Sequence, residues 1–244
     1  MDGRVHSFDL SVGVDGPGTR FVVFLAGCPL RCRYCHSPDT WSMRNGRPTT
    51  VDDLVTEARR YRRFIEVAGG GLTVSGGEPL LQARFTAELL RAAQTELGLH
   101  TAIETTGCLG ARAGEDLLDA TDLVLLDLKS WHPDTFRYAT GGGEVAPALQ
   151  FARRLADRGT RIWLRFVVVP GLTDEPSNVE GIARFAALLP TVERVELLPF
   201  HKLGEYKWQQ LGLRYPVHDT PVPDAELLAR VREQFTAAGL SVAC

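Results

Sequence analysis

Cys28-Pro29-Leu30-Arg31-Cys32-Arg33-Tyr34-Cys35 is the stretch around which the rest of this chain is organised. It follows an apolar run at residues 21–25 and a turn-permitting Ala26-Gly27, which predicts a core strand ending in a cysteine-bearing loop. Protein-bound iron–sulfur cubes take four cysteine ligands, and structural zinc takes a full tetrahedral set. Three thiolates on one loop therefore leave one coordination position for a ligand that is not protein.

Two other interpretations of this loop stay open on the residues alone. Buried cysteines are common in protein cores, but three within eight positions beside proline and arginine are not typical of a core. A zinc site could use His36 as fourth ligand, although its position next to Cys35 makes chelation of one ion by both awkward. The corresponding alternative function is a non-catalytic, zinc-stabilised binding module.

Composition narrows the class of protein. The 244 residues are 44% hydrophobic, carry a net charge of −3 and contain no linker or low-complexity tract, so we expect one domain spanning residues 1–244. The charge gives no reason to expect nucleic acid or an anionic membrane as partner. No apolar run reaches membrane-spanning length and no signal peptide is recognisable. Five cysteines, three of them clustered, are not a disulfide framework, and a reducing cytoplasm is expected.

Strand-like and helix-like segments alternate along the chain and predict an α/β fold. Wholly apolar runs such as residues 123–126 are typical of a parallel sheet covered by helices. Capping boxes are predicted at Thr50 with Asp53 and at Ser177 with Glu180, and Pro223 is expected in the first turn of the last helix. The six expected core strands lie at 21–25, 71–75, 100–105, 122–129, 161–169 and 194–199, and helices near 54–61, 83–97, 115–120, 146–158, 177–188 and 223–238.

The cysteine spacing, with Tyr34 before the third cysteine, resembles the radical S-adenosylmethionine (SAM) superfamily. Asp15-Gly16-Pro17-Gly18-Thr19-Arg20 upstream and Cys35-His36-Ser37-Pro38-Asp39-Thr40-Trp41 downstream resemble the activating enzymes of glycyl radical enzymes, of the pyruvate formate-lyase type. The resemblance covers essentially the whole chain. Other activases of this group carry an inserted cysteine-rich module, which is missing between Cys35 and Cys108, so the single-cluster type is favoured. We read Cys108 and Cys244 as free thiols.

The resemblance implies a partial (β/α)6 TIM-like barrel with a lateral opening. It also implies a [4Fe-4S] cluster whose fourth iron is chelated by the amino and carboxylate groups of SAM. Reductive cleavage of SAM would give a 5′-deoxyadenosyl radical that abstracts hydrogen from a backbone glycine of a partner enzyme. The expected function is thus that of an oxidoreductase of anaerobic metabolism, served by a flavodoxin- or ferredoxin-type electron donor. The alternative within the superfamily is a small-molecule enzyme of the 7-carboxy-7-deazaguanine synthase type.

Candidate ligands of SAM stand at strand ends, where α/β folds build their sites. The glycines of Ser75-Gly76-Gly77-Glu78 let backbone approach a ligand, and the segment resembles the one that receives the amino group of SAM. Asp127 and Lys129 share a strand face. They form either an i,i+2 salt bridge or, as we favour, a site for a zwitterionic ligand with hydroxyl groups. The resemblance places Asp127-Leu128-Lys129 beside the ribose and methionine of SAM.

Three further candidates are less specific. Arg165 lies in an apolar strand, and because a buried arginine is costly unless paired, it meets either a ligand carboxylate or a structural acid. His201 matches a family histidine near the adenine and ribose. Glu104, Thr105 and Asp127 resemble a monovalent-cation site beside SAM, although Glu104 stands where aspartate is expected and Leu125 where methionine is expected.

The candidate residues form three sets. The cluster ligands are Cys28, Cys32 and Cys35. The residues expected at SAM are Tyr34, Cys35, His36, Gly76, Gly77, Glu78, Thr105, Asp127, Leu128, Lys129, Arg165 and His201. The residues expected at the protein substrate are Asp15, Gly16, His36 and Asp39.

Overall fold

The computed structural model describes residues 1–243, so the predicted free thiol of Cys244 lies outside the described residues. These residues divide into two compact units. Unit 1 comprises Met1–Pro29, Thr40–Thr105 and Leu109–Leu125, and unit 2 comprises Leu30–Asp39, Thr106–Cys108 and the chain from Leu126 onward. The expectation of a single domain stays a prediction.

Unit 1 contains five strands and the start of a sixth, in the order β3-β1-β2-β4-β5-β6. Strand β1 runs antiparallel to β2 and β3, whereas β2, β4 and β5 are parallel neighbours, with Val22 opposite Thr73. The strands are β1 Asp2–Val12, β2 Thr19–Leu25, β3 Arg47–Thr50, β4 Gly71–Gly76, β5 His100–Thr105 and β6 Leu123–Asp127; the helices are α1 Val51–Val67, α2 Ala83–Leu97 and α3 Glu115–Asp119.

Local sequence signals explain the helices of unit 1. Helix α1 begins at the predicted capping box, in which Asp53 N donates to Thr50 Oγ1 at 3.1 Å and Thr50 N donates to Asp53 Oδ2 at 3.2 Å. Helix α2 ends before Gly98, whose φ of 66° is in the left-handed region that favours glycine. Strand β3 is an addition to the expected elements, and Pro48 is tolerated there because β3 lies at the edge of the sheet.

Unit 2 carries three consecutive parallel strands, in the order β7-β8-β9. The register of β7 and β8 places Arg165 opposite Glu196. The strands are β7 Arg161–Val168, β8 Val192–Pro199 and β9 Val242–Ala243; the helices are α4 Pro133–Thr140, α5 Val145–Arg158, α6 Pro176–Ala187, α7 Glu205–Gln210 and α8 Ala225–Ala237.

Two helix starts differ from the sequence predictions. The capping box at Ser177 with Glu180 is wrong, because α6 begins one residue earlier and its N-cap is Glu175, which accepts from Asn178 N at 2.9 Å. Pro223 is not in the first turn of α8, since Asp224 is the N-cap. In both cases a carboxylate supplies the capping acceptor.

The core confirms the expected class of fold. Strands β2 and β4 are buried along nearly their whole length, as expected for parallel strands covered by helices on their faces. The prediction of an α/β fold with a largely parallel sheet is confirmed. Among the described residues, no helix combines the length and apolar character needed to cross a bilayer.

Candidate functional site

The glycine pair Gly76-Gly77, at the end of β4, lies against residues 25–27, the stem of the cysteine loop in unit 1. Gly77 N donates to Leu25 O at 2.8 Å, and Glu78 N donates to Gly27 O at 2.9 Å. A Cβ on Gly77 would lie 2.3 Å from Gly27 O, and Gly76 has a φ of 109°. The sequence predicted glycines that let backbone approach a ligand, and the structure gives them a backbone neighbour within the same unit.

Carboxylates stand at the ends of the two strands that follow β2 in the sheet. Glu78 is buried, and its Oε1 accepts from Leu80 N at 3.2 Å and from Thr105 Oγ1 at 2.5 Å. Glu104 Oε2 accepts from Ser75 Oγ at 2.5 Å. These bonds orient both carboxyl groups, which the sequence predicted beside the amino group of SAM and a cation.

The main chain of the cysteine loop is held by hydrogen bonds on both sides of Pro29. In unit 1, Cys28 N donates to Trp41 O at 3.1 Å. In unit 2, Arg31 N donates to Thr140 O at 2.8 Å, and Cys35 N donates to Cys32 O at 3.1 Å. Each part of the loop is therefore held in place within its own unit.

Cys32 is a buried thiol of low reactivity as long as it carries its proton. Burial raises its pKa to about 12, although the nearby Lys129 ammonium acts in the opposite direction. Such a thiol becomes a thiolate when a metal replaces its proton. No group of three or more His, Cys, Asp or Glu side chains in residues 1–243 is arranged to hold a metal ion. A cube does not require convergence on one ion, since each thiolate binds a different iron.

Asp127 and Lys129 in unit 2 form the i,i+2 salt bridge that the sequence left open, with Lys129 Nζ donating to Asp127 Oδ2. Burial is the largest single influence on Lys129 and acts to lower its pKa, but interactions with Asp127, Tyr34 and Cys32 together hold the pKa well above its ordinary value. The other carboxylate oxygen, Asp127 Oδ1, is buried and has no hydrogen-bond partner within the described chain. The hydroxyl of Tyr34 is also buried without a hydrogen-bond partner in the described chain, and the centroid of its ring lies 5.4 Å from Lys129 Nζ. Unsatisfied buried acceptors of this kind fit a ligand with hydroxyl or ammonium donors.

The residues after the third cysteine contact the segment around α7, also within unit 2. Trp208 Nε1 donates to Cys35 O at 2.9 Å, and Lys207 Nζ lies 3.2 Å from Asp39 Oδ2. The rings of His36 and His201 meet edge to face at 5.0 Å. Burial, followed by the charges of His201 and Lys207, lowers the pKa of His36. These contacts involve four of the predicted residues, Cys35, His36, Asp39 and His201, and add Lys207 and Trp208.

Arg165 is paired with Glu196, which is the structural acid that the sequence analysis gave as one of two alternatives. Its Nε donates to Glu196 Oε2 at 2.9 Å, and both side chains are buried. Arg194 Nη2 donates to the other carboxylate oxygen of Glu196 at 2.5 Å. Leu128, also buried, donates its main-chain N–H to Arg165 O at 3.1 Å, which joins Arg165 to the predicted Asp-Leu-Lys segment.

Asp15 and Gly16 lie in the turn between β1 and β2 of unit 1. The main-chain carbonyl of Asp15 accepts from Thr73 Oγ1 at 2.7 Å, and Gly16 has a φ of 121°. The neighbouring Arg20 is fully buried, which nothing in the sequence indicated. An arginine at the start of an apolar strand is ordinarily expected to be solvated.

Comparison with known proteins identifies the family of this chain. A family model described as the Radical SAM superfamily matches residues 22–185. The chain is 41% identical over 233 residues to the pyruvate formate-lyase-activating enzyme of Listeria monocytogenes serovar 1/2a, with 93% of each chain covered. It is 40% identical over 232 residues to the pyruvate formate-lyase 1-activating enzyme of Escherichia coli K12, with 94% of each covered.

Solved structures agree with this assignment. A domain of pyruvate-formate lyase-activating enzyme from Bacteroides vulgatus matches with a TM-score of 0.59 and 25% identity, covering 71% of this chain and 98% of that one. Streptococcus suis SuiB bound to precursor peptide SuiA matches with a TM-score of 0.68 over 94% of this chain and 49% of its own, at 16% identity, which shows the fold alone. The resemblance inferred from the cysteine loop is confirmed, and the chain belongs to the radical SAM superfamily and, within it, to the family of pyruvate formate-lyase-activating enzymes.

Proposed function

We propose that this chain is a radical SAM activase that generates a glycyl radical in a partner enzyme of the pyruvate formate-lyase type. The observation that carries the proposal is the 41% identity to a pyruvate formate-lyase-activating enzyme over 93% of both chains. The similarity spans nearly the full length of both chains and is therefore not confined to the cysteine loop.

Cys28, Cys32 and Cys35 would hold a [4Fe-4S] cluster, with SAM on the remaining iron. When bound, the cluster and SAM supply one-electron reductive cleavage of the sulfonium, which produces the species that abstracts hydrogen. The buried position of Cys32 supports this ligand set, because a cluster held by it would be shielded from water.

The protein contributes orientation and the exclusion of water around SAM. Asp127 Oδ1 and the Tyr34 hydroxyl are buried acceptors without a partner in the described residues, which supports a role in binding the hydroxyl and ammonium groups of SAM. Glu78 is buried and oriented by Thr105, which supports its role toward the amino group. A radical must meet only the intended C–H bond, so fixed side chains serve this chemistry better than mobile ones.

Several finer parts of the proposal rest on the family resemblance. Asp15, Gly16, His36 and Asp39 would contact the protein substrate, and a flavodoxin- or ferredoxin-type protein would deliver the electron. We further propose a single domain in a cytoplasmic protein. A monovalent cation beside SAM, near Glu104, Thr105 and Asp127, also stays a proposal.

Electron paramagnetic resonance provides the decisive test. Protein reconstituted anaerobically with iron and sulfide is mixed with reductant, SAM and a pyruvate formate-lyase-type enzyme, and a glycyl doublet is expected. The matched control is the same partner with its radical glycine replaced by alanine, which should give no doublet. One zinc per chain and no acid-labile sulfide would instead support the binding-module alternative. SAM cleavage with no doublet from any glycyl radical enzyme would favour a small-molecule enzyme.

A further inference from the structure

Arg20 is the largest of the fully buried side chains in the described part of the chain. It lies near the start of β2, where its Nε donates to Thr73 Oγ1 at 2.9 Å. Its Nη2 donates to Leu72 O at 2.6 Å and to His100 O at 3.2 Å, and its Nη1 lies 3.1 Å from His100 Nδ1. Burying a guanidinium is costly unless its donors are bonded, so this network explains how unit 1 accommodates Arg20.

Gly71 provides the space for this guanidinium. A Cβ on Gly71 would lie 2.4 Å from Arg20 Nη1 and 1.9 Å from His100 O, so a larger residue would displace the arginine or the strand. Burial lowers the pKa of Arg20 to about 10, while the carboxylates of Asp122 and Asp15 act in the opposite direction. Arg20 therefore carries its charge at neutral pH in a position that costs free energy to maintain.

The Thr73 hydroxyl connects this buried cation to the turn between β1 and β2. It accepts from Arg20 Nε and donates to the main-chain carbonyl of Asp15 at 2.7 Å. Gly16 packs directly on the arginine, since a Cβ there would lie 3.3 Å from Arg20 Nε. The turn is closed by Gly13 N donating to Gly18 O at 3.0 Å. Its middle is thus fastened to the sheet by one hydroxyl and supported by one guanidinium.

The hydrogen bonds of Thr73 to Arg20 and to Asp15, called the anchor below, place the turn on the face of the sheet that also carries Ser75. Thr73 and Ser75 are two residues apart in β4, so their side chains point to the same face, about 7 Å apart along the strand. Ser75 in turn donates to Glu104. The Asp15–Gly16 turn therefore lies along the same face as Ser75 and Glu104, one side-chain step away.

We propose that Arg20 and Thr73 are positioning residues that hold the Asp15–Gly16 turn ready for the glycine-bearing segment of the protein substrate, an inference that rests on the proposed function. A glycine in an extended segment offers only main-chain N–H and C=O groups and no side chain. Recognition of such a segment requires partner groups at fixed positions. A turn ordered before binding avoids the entropy cost of ordering it on binding, so the anchor sets the affinity for substrate rather than the rate of SAM cleavage.

The test compares three threonine variants of the reconstituted full-length protein. Thr73→Val removes the bridging hydroxyl, Thr73→Ser keeps it, and Thr121→Val removes an unrelated buried hydroxyl that donates to Leu117 O at 2.7 Å. We expect Thr73→Val to raise the KM for a peptide containing the glycine segment at least fivefold. The kcat at saturating peptide and the peptide-independent cleavage of SAM should stay within twofold. Amide hydrogen exchange of residues 13–18 should be faster in this variant alone.

Gly13→Ala is a second variant, which strains the same turn outside the core. Its φ of 73° disfavours a side chain, and its Cβ would meet no atom within 4 Å. If Thr73→Val does not fold, Gly13→Ala takes its place in the test, and it should also raise the KM for the peptide. An unchanged KM with faster exchange would overturn the positioning role, and unchanged exchange would overturn the anchor itself. Wild-type protein that cleaves SAM but forms no glycyl radical would refute the proposed function. The hydrogen-exchange measurement would still test whether Thr73 orders the turn in that case.

Discussion

The indole Nε1 of Trp208 donates a hydrogen bond of 2.9 Å to the main-chain carbonyl of Cys35. Trp208 is buried, and its ring packs against Tyr215 with centroids 5.4 Å apart. One helix of unit 2 thus controls the position of the third cysteine through its backbone. A variant that lacks this hydrogen bond can therefore test whether Trp208 helps to order the cysteine loop.

Trp208→Phe should make the cluster more labile without emptying the site. Phenylalanine retains most of the packing against Tyr215 but loses the bond to Cys35 O, which is worth about 1 kcal/mol. We expect iron to be released to a chelator several times faster, with full iron and sulfide content at the start. Trp163→Phe is the matched control, because it removes an indole bond of the same length, 2.9 Å, to Glu193. Equal rates in the two variants would contradict the role of Trp208.

Replacement of any cysteine of the loop should abolish SAM cleavage. Cys28→Ala, Cys32→Ala and Cys35→Ala each remove one of three protein thiolates from a cluster that has no spare ligand in the loop. Iron, acid-labile sulfide and 5′-deoxyadenosine are measured in parallel. Cys108→Ala is the control and should retain all three. Turnover in any loop variant would refute the ligand assignment.

Much of the fold could be predicted because its determinants are local. The bounds of α2, residues 83–97, and of β5, residues 100–105, coincide with the predicted ones, since apolar periodicity and a terminal glycine mark them in the sequence. Helix α4 was not predicted although its signals are equally local, with Pro133 in its first turn and Gly141 after its end at a φ of 70°.

What could not be predicted depends on neighbours that are distant in sequence. Arg20 is buried because Gly71 leaves room for it and because Thr73 and His100 accept its donors, and none of these is adjacent to it in the chain. The need for glycine at position 77 also depends on a contact distant in sequence, since a Cβ there would clash with Gly27 O. The motifs could therefore be recognised from the sequence, whereas the physical reason for individual residues required the structure.

Gly77→Ala should destabilise the protein by about 2 kcal/mol, because its Cβ would lie 2.3 Å from a backbone oxygen that cannot move independently of the loop stem. The free energy of unfolding in urea measures this cost. Gly114→Ala is the matched control: its Cβ would meet only the Asp116 carboxylate, at 2.4 Å, and that side chain can rotate away. A similar loss in both variants would show that backbone contact at Gly77 is not the cause.

The N-cap of α6 should make stability depend on pH in the acid range. Hydrogen bonds from Ser177 and from the main-chain N–H groups of Ser177 and Asn178 lower the pKa of Glu175 to about 2 from 4.5. A carboxyl with a lowered pKa in the folded state stabilises it above pH 4.5, and this contribution is lost as pH falls toward 2. Glu175→Gln should therefore be less stable than wild type at pH 7, and the difference should shrink below pH 4.5. Urea unfolding across this range tests the sign, and a difference that grows as pH falls below 4.5 would contradict it.

Variants of the buried pair Arg165 and Glu196 distinguish a structural role of Arg165 from a role in binding SAM. Glu196→Ala leaves a buried guanidinium without its acid and should cost about 3–5 kcal/mol of unfolding free energy. The double variant Arg165→Met, Glu196→Met removes the buried pair of charges and should recover part of that loss, since the partly exposed Arg194 also loses its bond to Glu196. If Arg165 also contacts SAM, as expected from the sequence, the folded double variant should bind SAM several times more weakly, measured by calorimetry on the reconstituted protein. Wild-type affinity for SAM in a stable double variant would refute a role of Arg165 at SAM.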